Sequence, residues 1–495
     1  MSKNWVFAVA LIVLITKCSA ANPGMKISRS LEDASSLIRD LIPIAAEYIS
    51  ASNLGSLNFN TVDNGINVAV TAKNIALTNS TINPSNVSLI IEQPNWFNIT
   101  FYNFTGDLSF QYSEYNTSKN INKTGTADAF FTGVLIMDAE IQNDDGIPQL
   151  YTDVITLSIY EITFQNLNFS TNLTTQFTTR IVNFLQANTG LVFLQAFESR
   201  INGYTQSLNW FPQVPDLPIY LNSLWIGTPA ISYNPAYPCS NNYVTIWYNG
   251  TFVTQDDTSA KMPSIAPSFT MPDRYTNPKG VGSSQIMISQ YMLQSYYNAI
   301  TAKYAYHFIQ KLPDDYPNIL TSTSGYYPEL YQTYGNVPVN LNISTVGAPS
   351  VTIVPEIGIL VSGTVDVQIL TYNSLINQWS YPIYFKADIL FLVTPQVKNG
   401  VLKGYAYNQK VTSVYNVNSI IGTVNTYNLR MLTADLLKSF IKSYNGSVFF
   451  PVFTLPYPSG TTFDNYHLRM ESGYIVVDYD AILPLPVFQL QGLSC

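Results

Sequence analysis

Two hydrophobic periods alternate along the chain. After Ser30-Leu31-Glu32-Asp33, a capping-box-like start, the apolar positions Leu31, Ala34, Leu37, Ile38, Leu41 and Ile42 recur at helical spacing, and Pro43 kinks or ends the run. The period then falls to two. Strands over Leu57–Val62 and Ile66–Ala76 flank Asp63-Asn64-Gly65, a hairpin signal because Asn-Gly tolerates positive φ. Ile66, Val68 and Val70 alternate with Asn67 and Thr71, which predicts one dry face and one wet face. Strands rich in Thr, Tyr and Phe continue to about Ser170. From Thr174 to Tyr204 the helical period returns through Phe177, Ile181, Phe184, Leu185, Leu191, Val192, Leu194, Ala196, Phe197 and Ile201. This predicts a long amphipathic helix, broken near Asn188-Thr189-Gly190.

The stretch from Phe211 to Gly282 has a different texture. Prolines punctuate it at Pro212, Pro215, Pro218, Pro229, Pro235, Pro238, Pro263, Pro267, Pro272 and Pro278, yet Tyr243–Tyr248 still reads as a strand. Its aromatics mark an ordered connector rather than a Gly/Ser linker. The second half then repeats the plan of the first. Ser289 caps a predicted helix with Met292, Leu293, Tyr296, Tyr297 and Ile300 on one face. Strands follow, among them Val351–Val354 and Thr364–Leu370. Thr433 opens a predicted helix carrying Leu436, Leu437, Phe440 and Ile441, and a final hairpin spans Thr461–Ile482. The expected class is α+β, with a curved antiparallel sheet wrapped around helices in each half.

Composition narrows the function. The chain has 495 residues, 46% hydrophobic and only 11% charged, with a formal net charge of −8. This excludes a disordered solvating chain and a basic nucleic-acid binder. Lys3, the apolar run Trp5–Ile15 and the small residues of Cys18-Ser19-Ala20 read as a signal peptide cleaved after Ala20, with an uncleaved anchor as the alternative. Sequons at Asn79, Asn86, Asn98, Asn103, Asn116, Asn122, Asn168, Asn172, Asn249, Asn342 and Asn445 point to a secreted glycoprotein. The compartment is then extracellular, or the lumen of the secretory or endolysosomal pathway. Cleavage leaves Cys239 and Cys495, which either pair as a disulfide or remain two thiols. Enzyme chemistry finds little footing. His307 and His467 are the only histidines, and the chain has no Gly-x-Ser-x-Gly elbow, no phosphate-binding Gly loop and no Cys-x-x-Cys. Asp144-Asp145-Gly146 lacks EF-hand spacing and reads as a turn. No catalytic residue, metal site or cofactor is expected.

Several stretches resemble the family of bactericidal/permeability-increasing protein, lipopolysaccharide-binding protein and cholesteryl ester transfer protein, within the tubular lipid-binding superfamily. Ile286–Ser295 is similar to the strand-to-helix passage of that family's second domain. Asn249-Gly250-Thr251-Phe252 and Pro263-Ser264-Ile265-Ala266-Pro267 resemble its connector. Val351–Pro355 leading to Val365-Asp366-Val367-Gln368, and Phe453–Pro458 before the last hairpin, resemble central and late segments of the second domain; Leu41-Ile42-Pro43 fits the first. The resemblance implies a boomerang of two tubular barrels, each a highly curved antiparallel sheet wrapped around long helices, joined by a central β-sheet. Its expected divisions are 1–20 signal peptide, 21–215 N-terminal barrel, 216–282 proline-rich connector and central sheet, 283–485 C-terminal barrel, and 486–495 tail.

The function implied is binding or transfer of phospholipid or another diacyl lipid. Contact with lipoprotein or membrane surfaces is transient, no nucleic acid is involved, and lipopolysaccharide is a further candidate ligand. Acyl chains would then line Leu37, Leu41, Ile181, Phe184, Leu185 and Val192 in the first barrel, and Leu293, Tyr296, Ile300, Leu436, Phe440 and Ile441 in the second. Such a sleeve has a physical rationale: at about 0.8 kcal/mol per methylene, exposing a chain of about 16 carbons costs roughly 12 kcal/mol. Two features depart from the family. No cysteine lies between Ala21 and Pro238, and only Lys119 and Lys123 stand where endotoxin-binding members carry a cationic tip. The alternative is a structural or adhesion glycoprotein whose barrels are filled by their own side chains.

Overall fold

The computed structural model describes residues 24–30, 52–83, 86–93, 96–207, 209–214, 217–226, 230–232, 243–254, 271, 284–304, 307–311, 328–335, 337, 339–373, 375–443, 450–454 and 462–482. The expected signal peptide, the first predicted helix with Leu37 and Leu41, Cys239, Asn445 and Cys495 lie outside the described residues. The molecule is mostly β-structure with a few helices.

A strand, β1 (Met25–Ser30), precedes the predicted first helix. The N-terminal sheet follows: β2 (Ser52–Asp63), β3 (Ile66–Thr81), β4 (Val87–Gln93), β5 (Trp96–Asn116), β6 (Ile121–Asp144) and β7 (Ile147–Gln165). It is antiparallel in the order β2-β3-β5-β6-β7, with β4 beside β5. The β2–β3 turn is as expected, with Asn64 at φ 50° and Gly65 at φ 80°. The alternation also holds: Val68, Val70 and Ala72 are buried while Asn67 is exposed. On β6 the inward row runs Ala127, Ala129, Phe131, Leu135, Met137, Ala139 and Ile141. Gly133 sits in this row because a Cβ there would lie 2.5 Å from the Ser158 carbonyl oxygen. Register shifts at Thr132/Gly133 and Asp138/Ala139 mark bulges, which bend a strand and help the sheet curl into a half-barrel.

Helix α1 (Thr171–Ser207) is unbroken over 37 residues, a rod of roughly 55 Å. The expected break at Asn188–Gly190 does not occur. Asn188 donates its side-chain amide to the Phe184 carbonyl at 2.7 Å, one turn back, and the helix continues. Packing against the sheet outweighs the roughly 1 kcal/mol cost of an internal glycine.

The connector contributes β8 (Ile219–Leu221), β9 (Ala230–Ser232), β10 (Tyr243–Tyr248) and β11 (Phe252–Thr254). Then come β12 (Ser284–Ser289) and α2 (Gln290–Tyr304), capped as expected by Ser289, whose Oγ accepts from the Met292 N–H at 3.1 Å. The C-terminal sheet is built from β13 (His307–Lys311), β14 (Val339–Thr345), β15 (Ser350–Val354), β16 (Gly358–Asn373), β17 (Gln378–Lys398), β18 (Val401–Ser419) and β19 (Phe453–Thr454). Its order is β13-β14-β16-β17-β18-β19, with β15 on β16. Helix α3 (Pro328–Tyr334) is short, and α4 (Thr426–Ser443) begins well before Thr433. Thr433 is an interior residue of α4, buried, with its Oγ1 donating to the Leu429 carbonyl at 2.7 Å. The last hairpin, β20 (Thr462–Glu471) with β21 (Tyr474–Ile482), is as expected.

That hairpin does not extend the C-terminal sheet. It joins a central sheet of order β20-β21-β12-β1-β10-β9, in which β1 is flanked by strands from the middle of the chain. One face of this sheet packs Met25, Ile27, Ile286, Ile288, Ile475 and Val477 into an apolar core. The other face carries Lys26, whose ammonium is buried, lies 4.8 Å from the Trp247 ring centre and donates to the Met271 carbonyl at 2.7 Å. Asp478, buried in β21, pairs with Arg469 and accepts from Gln285 Nε2 at 2.6 Å, joining three strands. Gly24 meets Gly250 backbone to backbone at the sheet's end, where a Cβ on Gly24 would lie 2.2 Å from the Asn249 carbonyl oxygen.

Candidate functional site

The concave interior of the N-terminal half follows from how α1 is fastened. Its first turns bond to the end of β2. Ser170 Oγ donates to Asp63 at 2.8 Å, Gln176 Nε2 donates to the Val62 carbonyl at 3.2 Å, and Thr61 bonds Gln176. Its last turns bond to the start of β7. The Asn202 amide group accepts from the Leu150 N–H at 2.6 Å and donates to the Leu150 carbonyl at 2.8 Å, and Thr152 donates to Glu198 at 3.0 Å. Thus α1 lies along the curl and ties together the two outer strands of the sheet, forming its seam. Side-chain amides stand in for the missing strand neighbour at β7, which also blunts that edge.

The side chains packed between α1 and the curled sheet are apolar. At the β2 end, Phe177 meets Phe59, Phe110, Phe164 and Phe169 with ring centres 6.4, 5.7, 5.6 and 5.4 Å away. Further along α1, Ile181 and Leu185 are buried against Leu108, Phe131, Leu135, Met137 and Leu157, and half-buried Phe184 packs beside them. Of the expected lining residues, the structure therefore brings Ile181, Phe184 and Leu185 together. Val192 lies on α1, but its side chain is outside the described set.

The second half uses the same device. On α2, the Gln290 and Gln294 side-chain oxygens accept from the Ile353 and Val351 N–H groups of β15 at 3.0 and 2.9 Å, and Gln294 Nε2 donates to the Pro349 carbonyl at 2.8 Å. Leu293, Tyr296, Ile300 and Ile441 are buried in one apolar cluster with Phe252, Val393 and Phe450. Tyr296 stacks edge-on against Phe252 and Tyr297 at 5.2 and 5.4 Å. A second cluster, further out, joins Leu429 and Leu432 of α4 to Val367, Ile369, Phe385 and Ala387. Leu436 and Phe440 belong to α4; their side chains are not among those described. The inward rows of the sheets also include Leu135 and Met137 of β6 and Val367 and Ile369 of β16. In β16 the polar neighbours Asp366 and Gln368 carry the signal, while in β6 the apolar neighbours Val134 and Ile136 hide it.

Titratable groups stand on the other face of the sheet. Asp388 takes hydrogen bonds from Ser413, from Thr364 Oγ1 at 2.7 Å and from Tyr415 at 3.2 Å, and these donors, Ser413 foremost, hold its carboxyl below the ordinary value of 3.8. Tyr384 donates to Asp366 at 2.7 Å, a bond that raises its phenol above 10.0. Among the described residues no group of three or more His, Cys, Asp or Glu could hold a metal ion. No helix of the described residues is long and apolar enough to cross a membrane.

Most of the described sequon asparagines lie at or near the surface, but Asn249 does not. It is 2% exposed, its Oδ1 accepts from the Thr251 N–H at 3.1 Å, and it sits in the Gly24–Gly250 crossing.

No protein-family model matches the sequence, and no curated protein matches it. Solved structures do. The crystal structure of lipopolysaccharide binding protein superposes with a TM-score of 0.51 at 13% identity, covering 93% of this chain and 99% of that one. At that identity the likeness shows the fold alone, one similar to that of lipopolysaccharide binding protein. P47 of Clostridium botulinum E1 aligns over 93% of this chain and 100% of its own, with 10% identity and a TM-score of 0.26. Takeout 1 of Epiphyas postvittana covers 35% of this chain and 89% of its own, with 15% identity and a TM-score of 0.22.

Proposed function

We propose that this chain is a non-enzymatic lipid-binding protein that shelters acyl chains between its helices and curled sheets. The supporting observation is the apolar interior closed by α1 across both outer strands, in a chain sharing the fold of a protein named for lipopolysaccharide binding. In this reading the two halves, 21–215 and 283–485, are tubular barrels on either side of the 216–282 connector, arranged as a boomerang. The segment 1–20 is a signal peptide and 486–495 a tail. The protein is secreted or lumenal, and its sequons, Asn249 excepted, carry sugar. The ligand is a phospholipid or other diacyl lipid taken up at a membrane or lipoprotein surface. Lipopolysaccharide is the less supported ligand, because Lys119 and Lys123 are few and Lys123 is paired with Glu114 at 3.3 Å.

Organic extraction of the purified protein followed by mass spectrometry tests this reading, with diacyl lipid expected in near-stoichiometric amount. Phe184→Asp places a carboxylate against the apolar interior and should lower the recovered lipid several-fold in a protein that still folds. A folded wild-type chain that yields no lipid overturns the proposal in favour of a structural glycoprotein with filled interiors.

A further inference from the structure

The C-terminal sheet has two different ends. Its β17–β18 turn faces the central sheet: the Gly400 N–H donates to the Tyr466 hydroxyl at 2.8 Å, and Phe463 covers Gly400 so closely that a Cβ would meet the ring at 2.4 Å. The β16–β17 turn lies at the other end of β17, a contour of roughly 65 Å at about 3.3 Å per residue. There the chain shows water its apolar side chains. Leu375 is 93% exposed, Ile376 57%, Trp379 41% and Tyr381 59%. The start of the loop after β18 reaches the same place, because the Ile420 N–H donates to the Pro382 carbonyl at 3.0 Å. This adds Ile420, 72% exposed, and the loop leads on to Tyr427, 63% exposed at the start of α4.

The turn is firmly built. The Leu375 N–H bonds Asn373 Oδ1 at 3.0 Å, Tyr372 bonds Asn377, and the Tyr372 and Trp379 rings meet edge-on at 5.6 Å. No Asp, Glu, Lys or Arg occurs from Val367 to Phe385 or from Val411 to Leu429, and neither segment holds a sequon. By contrast, the β5–β6 turn of the N-terminal sheet is flanked by the sequons Asn116 and Asn122 and carries Lys119 and Lys123.

We propose that this outer end of the C-terminal sheet docks on an uncharged lipid surface, with Leu375 and Ile376 entering the acyl boundary, Trp379, Tyr381 and Tyr427 resting among the head groups, and Ile420 adding apolar area beside Pro382. Aliphatic residues stand at the apex and amphipathic aromatics behind them, the order of polarity across a membrane–water interface. A protein partner would be expected to meet a rim that includes charges, which both segments lack. An acidic chain of net charge −8 gains nothing from anionic lipid, so the contact rests on apolar burial. This deepens the lipid-binding reading and rests on it, yet surface docking and lipid content are measured separately and fail separately.

The test is co-sedimentation of the full chain with phosphatidylcholine vesicles, with and without added phosphatidylserine and at low and high salt. Binding to neutral vesicles is expected, not strengthened by phosphatidylserine and not released by salt. Leu375→Asp combined with Ile376→Asp should lower binding roughly tenfold or more, with unchanged circular dichroism and unchanged lipid on extraction. Ile420→Asn, on the neighbouring segment, should weaken binding independently. Brominated lipid should quench tryptophan emission more strongly in the wild type than in Trp379→Phe. Absence of vesicle binding, binding indifferent to all these substitutions, or quenching undiminished by Trp379→Phe would each overturn the proposal. Self-association abolished by the double substitution without any vesicle binding would overturn it too, assigning the patch to a second copy of the chain.

Discussion

Phe177 shows how one side chain organises the core at the start of α1. It projects from the seam helix into rings contributed by β2, β5 and β7 and by the loop before α1. Phe177→Ala therefore removes the common neighbour of four aromatics, and we expect a loss of about 3–5 kcal/mol in urea unfolding. Asp388 makes a smaller, pH-dependent contribution. Hydrogen bonds from Ser413, Thr364 and Tyr415 favour its carboxylate in the folded chain. That stabilisation is present above the ordinary carboxyl value of 3.8 and is lost as the pH falls through the lower folded value. Asp388→Asn should accordingly flatten the acid limb of the urea midpoint plotted against pH, while an unchanged limb would show that the three donors do not favour the charged form.

At the scale of elements, helices seal sheet edges through side-chain amides. Asn202 does this for β7, and Gln290 and Gln294 do it for β15. Asn202→Leu leaves the Leu150 N–H and carbonyl without that partner. We expect a cost of about 1–3 kcal/mol and faster hydrogen exchange at Leu150. The dyad period of β3 and the helical period of α1 and α2 were legible because each is a local repeat of apolar residues. The sealing amides were not: Asn202 and Gln294 look like any solvated position until the facing strand is known. The continuity of α1 through Gly190 was also hidden, since propensity argues for a break and only the sheet beneath argues against it. The Thr433 start failed for a related reason. Thr426 and Asn425 hold the true start of α4, while Thr433 imitates a cap from inside the helix.

The whole molecule turns on its central sheet. The expected connector supplied β9 and β10, but β1, β12, β20 and β21 come from outside it. Little near Met25–Ser30 announces a strand, because Met25 and Ile27 alternate with Lys26 and Ser28 for only four residues before Arg29, and the buried Lys26 is met by Trp247 and Met271 from distant parts of the chain. With neighbours on both sides, β1 should exchange its amide hydrogens as slowly as β12. Hydrogen-exchange mass spectrometry of the intact protein checks this, and exchange of the 25–30 segment within seconds would contradict the pairing.

The position of β1 between β10 and β12 also sets a timetable for the ribosome. Residues 25–30 leave the exit tunnel long before either flanking strand has been translated. At a synthesis rate of roughly 5–20 residues per second the wait is about 10–50 s. Throughout that interval a short segment with both edges bare must be kept from the wrong neighbour. Slowing translation between codons 31 and 243 should therefore increase the nascent chain's dependence on chaperones, even though no residue of the finished protein has changed.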